Sequence, residues 1–152
     1  MGMTAHSDAS SGNKASRSDT SKQIGDACEM LVAAELTLAG VPALKASDYW
    51  PGHDVIAQPR DRKPQRITVK SRTFKQGAAF VSYSAEDVFD WLAIVILPGE
   101  DSSSRRIYVI PRSVADKNAR TYTSEKTVNL REYRIDKVAR QFSAYEKQLY
   151  VS

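Results

Sequence analysis

The chain predicts an α/β fold built on a core sheet, and three observations carry that prediction. Ile24, Cys28, Leu31, Val32, Leu36 and Leu38-Ala39 recur at helical spacing before Gly40. Two short apolar runs, Asp54-Val55-Ile56-Ala57 and Ile67-Thr68-Val69-Lys70, flank a basic, turn-rich stretch. Trp91-Leu92-Ala93-Ile94-Val95-Ile96-Leu97 is almost wholly apolar and stops at Pro98-Gly99. The first pattern is an amphipathic helix, the second a hairpin, and the third a strand covered on both faces. With 152 residues, 41% hydrophobic and 26% charged, the chain has the size and composition of one soluble domain.

Residues 1–21 are rich in Ser, Thr, Asp, Asn, Lys and Gly without apolar periodicity, which predicts a disordered tail ahead of a domain spanning 22–152. Thr20-Ser21, with Gln23 nearby, reads as a helix start, and Gly40 ends a helix of about four turns. Residues 41–47 are weakly strand-like, 54–58 and 66–72 form the hairpin, and 79–83 read as a further strand. Ser84-Ala85-Glu86-Asp87 looks like a cap and first turn leading into a short helical link through Val88-Phe89-Asp90. After residues 91–97, Arg106-Ile107-Tyr108-Val109-Ile110 is expected to pair with that strand. Val114-Ala115-Asp116 reads as one helical turn and residues 127–130 as a short extended piece. Val138, Phe142, Tyr145 and Leu149 form a core-facing stripe on an expected last helix, residues 136–150.

Composition excludes several classes. No apolar run approaches the ~20 residues of a membrane span, and the first residues lack the basic start and apolar segment of a signal peptide. A cytoplasmic protein is the default expectation. The single cysteine, Cys28, excludes an internal disulfide and a multi-cysteine zinc site, and reads as a buried structural thiol. No G-x-S-x-G, G-x-G-x-x-G or G-x-x-x-x-G-K-[ST] occurs.

Charge is uneven along a chain of net charge +4. Residues 59–75 carry Arg60, Arg62, Lys63, Arg66, Lys70, Arg72 and Lys75 against Asp61 alone, residues 76–104 are acidic, and residues from 105 onward are again basic. Cations clustered about one strand suit a phosphate backbone. The other reading of the same residues is a solvated hairpin whose arginines serve solubility. A strand alternates its side chains, so Thr68 and Lys70 share one face and Ile67 and Val69 the other.

Gly25-Asp26-Ala27-Cys28-Glu29 on the first helix, Asp54 opening one strand and Lys70 closing the next resemble, in order and spacing, the PD-(D/E)xK nuclease superfamily. The resemblance covers residues 24–111 and implies a restriction-endonuclease-like domain, a central mixed sheet flanked by helices. Asp54 matches the first motif acid, Lys70 the motif lysine and Glu29 the helical acid. Thr68 stands where the family has Asp, Glu or sometimes Gln, and a neutral hydroxyl is a weak ligand for a hard cation.

The resemblance implies a Mg2+- or Mn2+-dependent deoxyribonuclease acting on DNA, with a homodimer expected from the need to cut two strands. Glu29 and Asp54 would hold the ion and Lys70 would orient water or stabilise charge at phosphorus. Thr68 would offer its hydroxyl, a bridging water or its carbonyl. Arg62, Lys63, Arg66, Ser71, Arg72 and Lys75 are the expected nucleic-acid contacts. Asp48 and Glu35 are substitute acids outside the expected positions, and His53 lies beside Asp54. Two other readings stay open. One is a catalytically degenerate module of the same fold that binds nucleic acid or a protein partner, and the other is a protein-interaction domain using Trp50, Trp91 and the tyrosine-rich C-terminal part.

Overall fold

A computed structural model describes residues 14–50, 52–101, 103–123, 125–126, 129–149 and 151, with backbone only for 14–19. The first helix, α1 (Lys14–Leu38), starts six residues ahead of the expected Thr20 boundary. Neither Pro nor Gly interrupts residues 14–24, so the polar segment can continue the helical turns of the apolar one. The rest of the expected tail, residues 1–13, lies outside the described residues. At the other end Gly40 takes a left-handed φ of 96°. Its N–H donates to the Thr37 carbonyl at 3.0 Å and the Val41 N–H to the Leu36 carbonyl at 2.9 Å, a Schellman stop.

Five strands form the main sheet in the order β1-β2-β3-β5-β6: β1 (Ala43–Lys45), β2 (Val55–Ala57), β3 (Gln65–Thr73), β5 (Trp91–Leu97) and β6 (Arg106–Pro111). The β3–β5 pair is parallel and the other pairs are antiparallel, so the sheet is mixed as expected. β4 (Phe80–Ser84) leaves it and builds a second, three-stranded antiparallel sheet with β7 (Arg120–Tyr122) and β8 (Leu130–Arg134), in the order β4-β8-β7. Two short helices, α2 (Arg112–Asn118) and α3 (Ile135–Gln141), complete the domain.

Two apolar clusters lie on the two faces of the main sheet. Cys28, Val32 and Leu36 of α1 pack on Val55, Ala57, Ile67, Val69, Ala93 and Val95. Leu92, Ile94 and Ile96 of β5 point the other way, into a cluster with Val81, Tyr83, Tyr133, Val138 and Phe142. β5 therefore has five consecutive buried residues, which explains its unbroken apolar sequence.

Two expected helices are corrected. Residues 84–90 form a turn, because Arg112 takes the Ala85 carbonyl at 2.9 Å and that of Asp87, while its guanidinium lies 4.2 Å over the Phe89 ring. The last helix stops at Gln141 and gives way to a short 3-10 turn, Ser143–Tyr145. Its stripe serves both clusters: Val138, Phe142 and Tyr145 pack on one side of the sheet and Leu149 on the other. The chain makes that crossing past the β6 edge, with Glu146 bridging Tyr108 and Lys147 at a φ of 57°.

Candidate functional site

β2 and β3 part company at Asp54. Extending their register pairs Asp54 with Thr68, one step beyond the Val55↔Ile67 partnership. The Asp54 N–H donates to the Ile67 carbonyl at 2.9 Å and its carbonyl accepts from the Ala46 N–H at 2.7 Å. Past that point β3 has no backbone partner on this side among the described residues, and the Asp54 carboxylate takes over. Oδ2 accepts the Val69 N–H at 2.7 Å and the Thr68 hydroxyl at 3.3 Å. Oδ1 has no protein partner among the described residues, so one oxygen fixes the carboxylate and the other is available to a ligand.

Asp54 shares a cleft of about 340 Å³ with Gly25, Asp26 and Glu29 of α1 and with Asp48 and His53 of the β1–β2 connection. The i, i+3 and i, i+4 spacings place Lys22, Gly25, Asp26 and Glu29 together, one position round from the buried Cys28–Val32–Leu36 stripe. Glu29 is mostly covered, at 18% side-chain exposure. Burial raises its carboxyl above the usual range, the Asp54 charge adds to this, and Lys45 opposes it.

Lys45 of β1 is a residue the sequence reading missed. Its Nζ stands 2.9 Å from Asp48 Oδ1, 3.3 Å from Glu29 Oε2 and 3.9 Å from Asp26 Oδ1. Lys22 adds contacts of 2.9 Å to Asp26 and 3.4 Å to Asp48, and the two lysines hold Asp48 below the usual carboxylate range. Asp26, Glu29 and Asp48 offer oxygens within 4.8 Å of one another. The Lys22–Asp26 spacing was a readable signal, but bringing Lys45 to the acids depends on the β1–β2 hairpin.

The donor set fits a hard divalent cation. Such ions take carboxylate oxygens and retain several waters; Asp26, Glu29 and Asp48 come within 4.8 Å of one another round Lys45, and the free Asp54 Oδ1 belongs to an acid that lines the same cleft. Thr68 offers less. It is only 5% exposed, the one buried polar residue among those described, and its hydroxyl is directed to Asp54. Both His53 ring nitrogens are enclosed without a hydrogen-bond partner among the described residues, and the ring sits edge-on to Trp50 at 5.6 Å.

Lys70 does not line this cleft. Ile67 and Val69 face α1, so alternation turns Thr68 and Lys70 to the opposite face of the sheet, beside their partners Leu92 and Ile94. Lys70 is half-buried and has no ion pair among the described residues. Asp54, at the strand end, is the residue that meets both sides: its Oδ2 touches Thr68 and its charge acts on Glu29.

The expected phosphate contacts divide. Arg62, Lys63 and Lys75 are exposed and have no side-chain partner among the described residues. Arg66 forms a two-pronged pair with Asp90, each contact 3.1 Å, and its N–H donates to the same carboxylate at 2.8 Å. Arg72 donates Nε to the Phe80 carbonyl at 2.9 Å, which ties β3 to the start of β4. Ser71 lies on the α1 side, beside Cys28. Glu35 lines a separate recess with Arg105 and Ile107.

No family model and no curated protein matches the chain. Solved structures that resemble it include two DNA-acting enzymes. The bacterial homing endonuclease I-Ssp6803I aligns at a TM-score of 0.49 and 18% identity, over 74% of this chain and 75% of that one. Hjc, a Holliday junction resolvase from the archaeal hyperthermophile Archaeoglobus fulgidus, aligns at 0.44 and 16%, over 69% of this chain and 86% of its own.

Proposed function

We propose that the chain is a metal-dependent endonuclease of the PD-(D/E)xK type that hydrolyses DNA phosphodiester bonds. The observation that carries this reading is the Asp54 carboxylate, locked through Oδ2 and free at Oδ1, in one cleft with Glu29 where two strands separate. Asp54 and Glu29 are the ligands for Mg2+ or Mn2+, with Asp48 in reserve. A divalent ion held there supplies Lewis-acid polarisation of the phosphate and a lowered pKa for a bound water. Thr68 works through Asp54, keeping Oδ2 occupied so that Oδ1 keeps its direction. Lys70, on the opposite face of β3 and without an ion pair among the described residues, would meet the negative charge of a phosphate that passes the strand end at Asp54. Arg62, Lys63 and Lys75 attract the backbone. Arg66, committed to Asp90, contributes architecture instead. The exposed Leu38, Leu44, Tyr49 and Trp50 around the β1 edge are the surface a homodimer would cover.

One observation favours a second reading. Lys45 already sits among Asp26, Glu29 and Asp48, and with Thr68 in place of an acid, its ammonium group can stand in for the ion. The domain would then bind nucleic acid without cutting it. Titration calorimetry with Mn2+ separates the two. Binding by the wild type that is lost in Asp54→Asn, whose amide oxygen can still accept from Val69 and Thr68, is the nuclease outcome. No binding by the wild type would favour the degenerate module.

A further inference from the structure

Residues 105–152 hold 11 Lys and Arg against 5 Asp and Glu, yet none of these cations borders the Asp54 cleft. Several converge on the small sheet. Arg120 of β7, Arg134 of β8 and Lys137 of α3 line a recess of about 260 Å³ together with Asn118, Gln141 and a single acid, Glu132. Arg120 and Lys137 have no ion pair among the described residues. Arg134 gives one guanidinium nitrogen to Asp136 at 2.9 Å, and its side chain is 39% exposed. The exposed part of that guanidinium, with Arg120 and Lys137, presents charge-assisted donors that suit an anion.

The recess also continues a row of cations from β3. Arg72 lies two residues beyond Lys70 on the same strand face, its Nε bonds the Phe80 carbonyl, and Phe80 is paired with Arg134 across β4 and β8. A string of phosphates could follow that row, whereas a lone anion would need only the recess.

We propose that this recess is an anchoring site for a phosphate of a nucleic-acid backbone, held by Arg120, Lys137 and the exposed part of the Arg134 guanidinium, apart from the cleft where the bond is cut. It rests on the nucleic-acid reading above and adds the path of the strand: from Lys70 along Arg72 to the small sheet. The recess fixes position and carries no sequence preference.

The test is fluorescence anisotropy of a labelled DNA duplex across a range of NaCl, for the full chain, for Arg120→Ala/Lys137→Ala and for Arg120→Lys/Lys137→Arg. Matched thermal unfolding would check the fold. Neither side chain makes an ion pair among the described residues, so the alanine variant should melt close to the wild type. Each lost phosphate contact removes about 0.9 from the slope of log affinity against log salt. The alanine variant gives up one anchored phosphate and should therefore lose about 0.9 from that slope and bind about tenfold more weakly at moderate salt, and the charge-conserving variant should recover most of both. Wild-type binding with an unchanged alanine variant would overturn the anchor and leave the nuclease reading standing. No DNA binding by the wild type would sink both, and stabilisation by inorganic phosphate in that case would assign the recess to a free anion.

Discussion

The two oxygens of Asp54 have different tasks, and that division turns a strand-end acid into a candidate ligand. Thr68 is what makes the division work: across from an acid at that position Asp54 would face repulsion, whereas the hydroxyl donates to it. The order Glu29, Asp54, Lys70 was legible in the sequence because each residue occupies a position defined by local pattern: a helix face, a strand start and a strand end. Lys45 was not, since its meeting with Glu29 and Asp48 is made by tertiary folding. Glu29 has a pH signature. Its raised pKa means the folded state binds its proton more tightly than the unfolded chain, so its contribution to stability is complete below the ordinary value of 4.5 and is lost as pH rises through the raised value. A bound cation needs the ionised form and reverses that loss. The thermal shift produced by Mn2+ should therefore be small near pH 4.5 and grow toward neutrality in the wild type, while Glu29→Gln should show a smaller shift with a flatter pH profile. A wild-type shift that is constant across this range would remove Glu29 from the ligand set.

Among the elements, β3 carries most of the organisation: it pairs with β2, runs parallel to β5, delivers Thr68 and Lys70, and is tied to its neighbours by Arg66 and Arg72. The strands of the main sheet were readable from alternation and from the continuous apolar run of β5. Of the small sheet only β4 was, because β7 is wholly exposed and β8 alternates charged residues about Tyr133. The shortened last helix has the same kind of cause, since helical periodicity cannot show that Phe142 and Leu149 belong to opposite faces of a sheet. The Arg66–Asp90 clamp gives this scale its prediction. Asp90 receives the Arg66 side chain and its N–H, and these bonds hold its carboxyl below the usual range. Asp90→Ala should cost more stability than Arg66→Ala, about 2 against about 1 kcal/mol in urea unfolding, because only the first leaves a half-buried N–H unmet. The depressed pKa adds stability above 3.8 that disappears as pH falls through the folded value, so the gap between wild type and Asp90→Ala should close in strong acid. Equal losses in the two variants would show the contact to be only a surface ion pair.

Over the whole molecule, one sheet separates two apolar clusters, and the catalytic candidates gather at the end where its strands divide. Acids from α1 and the β1–β2 connection approach that end from one side, while Lys70, Arg72 and the small sheet lie on the other. Asp54 is the hinge of the arrangement, with its cleft acidic and the opposite face basic. This matches the needs of phosphodiester hydrolysis, a cation held by carboxylates and a polyanion held by cations. The basic stretch of residues 59–75 was visible in the sequence as one cluster, but the fold distributes it among a hairpin tip, a structural clamp and the strand that leads to the small sheet. The decisive measurement is cleavage of supercoiled and linear DNA with Mg2+ or Mn2+ by the wild type, Asp54→Asn and Lys70→Ala, purified identically and matched in thermal unfolding. Metal-dependent cutting by the wild type, reduced at least a hundredfold in both variants, is the expected result; no cutting by the wild type with either metal, or equal cutting by all three proteins, would contradict the assignment of this cleft as a nuclease site.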